Sequence, residues 1–296
     1  MIPPELLALL APFCIALGGM FSAELAGRLS VPAITRWRVL APIPPLAVVA
    51  TIFGGWATVE PAHLPYLLIS GVIGMVIADS AFSAAIFTVG ARIATLVFSL
   101  NAPIAALLAL VLLGEPLSGG KVAGIALVFT GIAIAILYRS GRPGGAETSL
   151  AGRVLWKGVA LAALSAAAQA CSVIAARPVT AQNIDAAAAM SIRLGAAAFI
   201  LVPLAILFGK RRFLPPLSAR YKVYSVLGAV IGVGLGVTFV FAALQTGDVA
   251  TVSTLASMTP IAVLPLVWLR TGATPRWPAW LGALTAFAGA AVIANN

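Results

Sequence analysis

Long apolar runs broken by short polar turns set the pattern of this chain. Ten runs can be marked: Leu6–Leu25, Ile34–Gly54, Leu64–Phe87, Ile93–Leu113, Val122–Tyr138, Val154–Ala176, Ala186–Phe208, Val223–Leu244, Val249–Leu269 and Ala279–Ala294. About 20 residues at ~1.5 Å rise cover the ~30 Å hydrocarbon core of a bilayer. Each run therefore predicts a membrane-spanning helix. The polar stretches between them are too short to fold as a separate domain. All six tryptophans and all four tyrosines fall at or just beyond a run's end, where amphipathic rings sit at headgroup level.

The pattern also repeats. Cys14 and Cys171 are 157 residues apart, and so are Arg36/Arg193, Gly71/Gly228, Phe82/Phe239, Gly90/Gly247 and Pro103/Pro260. Gly124/Gly282 and Gly131/Gly289 follow at 158, one insertion later. Collinear pairs at one offset mark an internal repeat. Each copy holds five runs, an odd number, so the second copy must enter the membrane in the opposite direction. Inverted repeats of this kind are a mark of secondary transporters, whose sites lie between the copies. The expected fold is thus an all-α polytopic membrane protein, with ten transmembrane helices as two inverted five-helix repeats around a central cavity.

Composition agrees with this and removes other classes. Of 296 residues 61% are hydrophobic and 9% charged, too little charge to coat a soluble domain. The net charge of +10 does not imply nucleic acid, because the basic residues sit in the short turns. Fifteen of the 18 lie on one set of turns: Arg28, Arg36, Arg38, Arg92, Arg139, Arg142, Arg153, Lys157, Lys210, Arg211, Arg212, Arg220, Lys222, Arg270 and Arg276. Only Lys121, Arg177 and Arg193 lie on the other. By the positive-inside rule the first set is cytoplasmic, which puts both termini on the periplasmic side of a bacterial inner membrane. Cys14 and Cys171 lie inside apolar runs and His63 is the one histidine, so neither a disulfide framework nor a metal site is expected. The first charge is Glu5, so Leu6–Leu25 is read as a retained helix rather than a signal peptide.

One stretch carries a family resemblance. Gly90-Ala91-Arg92, then Asn101-Ala102-Pro103, then Leu113-Gly114-Glu115-Pro116-Leu117-Ser118, then Gly124 and Gly131, resembles the EamA-type repeat of the drug/metabolite transporter superfamily. The second copy is weaker, since Arg270-Thr271-Gly272-Ala273-Thr274-Pro275 lacks the glutamate. The resemblance gives a first repeat over 1–140, a cytoplasmic linker over 141–153 and a second repeat over 154–296. It implies a secondary transporter that exports small amphipathic metabolites such as amino acids, aromatic ones among them, by alternating access. An exporter of organic cations, a nucleotide-sugar-type carrier and, more remotely, an integral-membrane enzyme are the alternatives. The expected partners are a small-molecule substrate and the lipid bilayer, with no nucleic acid and no cofactor, in a monomer or weak homodimer. Small proton-coupled relatives use a glutamate central in the first helix; here Glu24 lies at its end and Cys14 nearer its middle, which leaves facilitated diffusion open.

Polar groups at membrane depth are the candidate site. An ionised Asp mid-bilayer costs about 2.5–3.5 kcal/mol to insert. Asp79 either faces the cavity, binding an amine or a proton, or pairs with a basic residue such as Arg193. Arg193 can clamp a carboxylate in two-point fashion or snorkel to the headgroups; its mate Arg36 is read as an anchor beside Trp37. Thr95, Ser99 and Asn101 in the fourth run, and Ser253, Thr254 and Ser257 in the ninth, predict opposing cavity walls, with Gln169 a further candidate. Their bland reading is hydroxyls bonded to their own helix. Pro103 and Pro260 each free a backbone carbonyl and predict kinks that serve as hinges. Gly228, Gly232 and Gly236, and the pairs Gly124/Gly131 and Gly282/Gly289, predict close helix packing.

Overall fold

The computed structural model describes residues 3–23, 25, 29–138, 152–207, 218–271 and 277–295. Most of the expected linker 141–153, Glu24, and Arg28, Arg139, Arg142, Lys210, Arg211, Arg212 and Arg276 lie outside the described residues, as do positions 272–275 of the second turn. Every described element is helical: α1 Pro4–Ala23, α2 Val31–Leu40, α3 Ile43–Ile52, α4 Leu64–Gly71, α5 Asp79–Phe98, α6 Asn101–Leu108, α7 Gly119–Leu137, α8 Gly152–Thr180, α9 Ala186–Leu207, α10 Ala219–Ala229, α11 Thr238–Ala243, α12 Val249–Ala256, α13 Thr259–Thr271 and α14 Trp277–Ala294, with two short 3₁₀ turns and three π segments between them. Seven continuous helical stretches are long and apolar enough to cross a membrane, and Gly119–Ile134 and Trp277–Ile293 are shorter apolar helices.

Several runs that read as single rods are broken. Pro42, Pro44 and Pro45 split the second into α2 and α3, since a proline cannot continue the ladder behind it. The fourth and ninth break at matching places, Ser99–Leu100 and Ser257–Met258, just ahead of Pro103 and Pro260. The carbonyl freed by Pro260, at Ala256, accepts from the Thr259 hydroxyl at 3.2 Å. The carbonyl of Ser99, freed by Pro103, accepts from the Ala102 N–H at 3.4 Å. The π segments Val72–Ala78 and Val230–Val237 also occupy matching places, one in each half.

The halves interlock by exchange. α1 packs along α10, its π segment and α11, and against α12 and α13; α8 packs in the same way along α4, its π segment and α5, and against α6. α7 packs along α14, and α6 lies directly on α12. Glycines permit the closest of these crossings. A Cβ on Gly289 would lie 2.7 Å from the Gly124 carbonyl oxygen, and one on Gly131 would clash with that of Gly282. Gly18 meets Gly232 backbone to backbone, where a Cβ would sit 2.5 Å from Cα. The glycine spacing thus marks packed faces, as expected. The loops at 53–63, 114–118, 181–185 and 244–248 share the end of the bundle where the chain begins, since Gly247 lies against Pro4.

Candidate functional site

The π segment of the first half organises the polar interior. Its two ends are gripped by serines two turns apart on α8. Ser165 Oγ donates to the Ala78 carbonyl at 2.7 Å. Ser172 Oγ donates to the Ser70 carbonyl at 2.8 Å, and Ser70 Oγ donates back to the Ser172 carbonyl at 2.7 Å. A π turn misaligns the ordinary helical hydrogen bonds, and a carbonyl left over in a membrane needs a donor from elsewhere; these hydroxyls supply it.

Arg193 of α9 enters this knot. It is fully buried. Its Nε donates to Ser70 Oγ at 3.0 Å and its Nη2 to Ser172 Oγ at 2.8 Å, while Nη1 points at Met190 Sδ at 3.1 Å. The face of the guanidinium lies 4.0 Å from the ring centre of Phe241 on α11. A Cβ at Gly71 would clash with the Arg193 carbonyl, so the two backbones meet there. Arg193 is therefore not a headgroup anchor.

Asp79 follows the π segment, and its partner is Arg38 rather than Arg193, the basic residue that the sequence offered as an example of a partner. Arg38 Nε donates to Oδ1 at 2.8 Å and Oδ2 at 3.1 Å, and Nη2 reaches Oδ1 at 2.8 Å. The geometry explains the correction. Arg193 grips Ser70, and Asp79 lies nine residues further along, some ~13 Å at helical rise. Both side chains of the Arg38–Asp79 pair are largely buried. Arg36, the repeat mate of Arg193, instead lies over the neighbouring Trp37 ring at 5.1 Å.

The polar stripes of the fourth and ninth runs are brought together, because α6 packs on α12. Most of their groups bond their own helix. Ser99 Oγ donates to Leu96 O, Asn101 Nδ2 to Phe98 O, Thr254 Oγ1 to Ala250 O and Ser257 Oγ to Ser253 O, all at 2.6–2.8 Å. Ser253 Oγ is buried without a partner. Thr95 and Gln169 are half-buried. A shallow crevice between α1, α13 and α14 is apolar, lined by Pro12, Phe13, Met258, Ile261 and Phe287 among others, and bears none of these groups.

A second polar region was not anticipated. At the end of the bundle where the chain begins, Glu115 Oε1 accepts from Arg177 Nε at 2.9 Å, and its Oε2 accepts from the Val249 N–H at 2.7 Å. Lys121 Nζ donates to Asp248 Oδ2 at 2.9 Å. Asp248 also caps α12 through the Thr251 N–H at 2.8 Å. Thr58 Oγ1 accepts from the Asp185 N–H at 2.8 Å, and His63 Nε2 lies 3.0 Å from Gln182 Oε1. Every one of these links except the Asp248 cap joins the first half to the second. Burial pushes the Asp248 carboxyl up, but the Thr251 N–H, Lys121 and the Thr251 hydroxyl outweigh it and hold the group below the ordinary aspartate value. The sequence signal was the presence of Lys121 and Arg177 on the turns poor in basic residues, facing Glu115 and Asp248 on those same turns.

Comparisons with known proteins agree with this architecture. A solved crystal structure of a protein superposes with a TM-score of 0.77 over 98% of this chain and 94% of its own, at 19% identity, which shows a shared fold. A search of curated proteins gave no significant match. A family model of EamA-like transporters matches residues 2–137 and again 156–295, one match per half. With two matches covering nearly the whole length, on a helical bundle of two interlocked halves, the chain belongs to the EamA-like transporter family.

Proposed function

We propose that this protein is a secondary transporter that exports small amphipathic metabolites, amino acids among them, across a bacterial inner membrane by alternating access. In this reading ten helices cross the bilayer in two inverted halves and both termini face the periplasm. The observation that carries it is the seam at one end of the bundle. Glu115–Arg177, Lys121–Asp248, Thr58–Asp185 and His63–Gln182 all tie half to half there. A pump of two rocking halves needs a closed end that can reopen, and part-buried ion pairs and hydrogen bonds at the end of a bundle can exchange their partners for water as it opens. The count of basic residues puts that end on the outside, so in this reading the seam is the periplasmic gate.

Asp79, Arg193, Gln169 and Ser253 are the candidate solute contacts in this reading. Thr95, Ser99, Asn101, Thr254 and Ser257 are the cavity walls in this reading, with Pro103 and Pro260 as hinges. The test is flux. Purified protein in liposomes preloaded with unlabelled amino acid should take up labelled amino acid by counterflow, saturably and above empty vesicles, with and without a pH gradient. No carrier-dependent flux across a panel of amino acids and organic cations would sink the proposal.

A further inference from the structure

Arg193 is a buried cation with no anion beside it among the described residues. Each described acid near the interior is committed elsewhere: Asp79 to Arg38, Glu115 to Arg177, Asp248 to Lys121. Asp185 accepts from the Ala188 N–H at the start of α9, eight residues and ~12 Å of helix from Arg193. The guanidinium is held by two serine hydroxyls, a thioether sulfur and a phenyl ring, all neutral. An ion taken out of water without a counter-ion is among the costlier arrangements in a membrane.

A structural staple would justify the cost if the serines needed the arginine. They do not. Ser70 and Ser172 already donate to each other's carbonyls, so the crossing of α4 and α8 closes by itself. Arg193 only fills lone pairs on oxygens whose protons are placed elsewhere. The repeat does not need it either, since Arg36 at the matching place lies against Trp37 instead. The arginine sits beside the π segment, and π turns recur at functional sites. Gly74 leaves the space at Nη2, where a Cβ would stand 3.1 Å away.

We propose that Arg193 is the receptor for a carboxylate on the transported solute, with Phe241 and Met190 against the solute's apolar body. This rests on the transport reading and narrows it to organic carboxylates. When α4 and α9 part, a carboxylate displaces the two serine oxygens and takes the Nε/Nη2 edge in a paired, charge-assisted contact, which neutral acceptors cannot match. Amines without a carboxylate gain nothing at this site.

The test is equilibrium binding on the purified full-length protein, which is independent of flux. Propionate, 3-phenylpropionate and phenylalanine are titrated by calorimetry beside their primary amides. At least one acid should bind about tenfold or more tighter than its amide, the scale of one charge-assisted hydrogen bond. The ratio should fall to about one in Arg193→Gln and persist in Arg220→Gln, where the lost cation is exposed on the surface. Arg193→Lys serves if the glutamine variant does not fold: it should lower the acid affinity and leave the amide unchanged. Absence of binding by every acid, no acid preference in the wild type, or an undiminished preference in either Arg193 variant overturns the assignment. Arg193-dependent binding without flux would sink the transport reading and leave this one standing.

Discussion

The Pro61–Gly90 rod and the Ala219–Ala243 rod stand at matching places in the two halves, and each carries a π segment. They are held by opposite means. The first is gripped by hydrogen bonds and charge: Ser165 on Ala78, Ser172 on Ser70, Arg193 on both serines, Arg38 on Asp79. The second is gripped mainly by close packing along α1, with Gly232 on Gly18 and Gly236 on Ile15. Where the first has Asp79, the second has Gly236. A shape shared by both copies therefore asks for neither acid nor arginine. Polar groups on one rod only are free to serve something other than the fold, and the apolar seam is free to be rigid.

The contrast breaks first at its rigid side. Gly18→Leu puts a side chain into the Gly232 backbone, which has no rotamer with which to yield. Overpacking costs about 1–3 kcal/mol and more where backbones must part. The variant should show the largest loss of detergent melting temperature in either rod. Ser165→Ala on the polar side loses one hydrogen bond, worth about 1 kcal/mol or less between membrane helices. Equal losses in the two variants would mean that the rods are held alike.

Next comes the ion pair. Asp79→Ala leaves Arg38 largely buried and unpaired, and truncating one partner of a buried pair costs about 3–5 kcal/mol; the remaining exposure of Arg38 should hold the loss to the low end or below. Removing both, in Arg38→Ala with Asp79→Ala, should restore part of the melting temperature, because no orphan charge remains. A double variant less stable than Asp79→Ala would show that the pair does not act as a unit. Asp79→Asn sharpens the functional side: unchanged flux and unchanged pH dependence in liposomes would confine Asp79 to a structural role.

What the chain reveals by itself follows the same division. The apolar seams are legible because spacing alone defines them. Gly124, Gly131, Gly282 and Gly289 fall two turns apart within α7 and α14, and Pro103 and Pro260 announce the breaks ahead of α6 and α13. The polar seam is not legible, because a charge's partner depends on how helices rotate against each other. Arg38 stands next to Trp37 and reads as part of an interfacial anchor; the break at Pro42 shortens α2 and leaves Arg38 facing Asp79 on α5. Ser165 and Ser172 share one face of α8 at a spacing of two turns, yet nothing in sequence tells that a π segment needs them. Ser99, Thr254 and Ser257 read either as cavity walls or as hydroxyls bonded to their own helix, and each does donate to its own helix. Glu115 reads as a family marker without chemistry, and it joins Arg177 to the first N–H of α12.

The smallest effect tests the seam between the halves. Asp248 is held below the ordinary aspartate value, which is about 3.9 in an unfolded chain. A depressed folded-state pKa contributes stability that is fully present above the unfolded value and is lost as pH falls through the folded one. The seam should therefore weaken only below about pH 4, with the Lys121–Asp248 pair contributing no more than about 1 kcal/mol. Asp248→Asn should remove that acid-limb loss while leaving neutral-pH melting lower by about the same small amount. It also distinguishes the seam from the deep polar rod. Both pairs are part-buried, but Lys121–Asp248 lies at the end of the bundle where ions reach it, so raising salt should shrink the Asp248→Asn effect more than the Asp79→Ala effect. Salt-insensitive Asp248 behaviour would place that pair with the buried groups and remove it as a readily reopened closure.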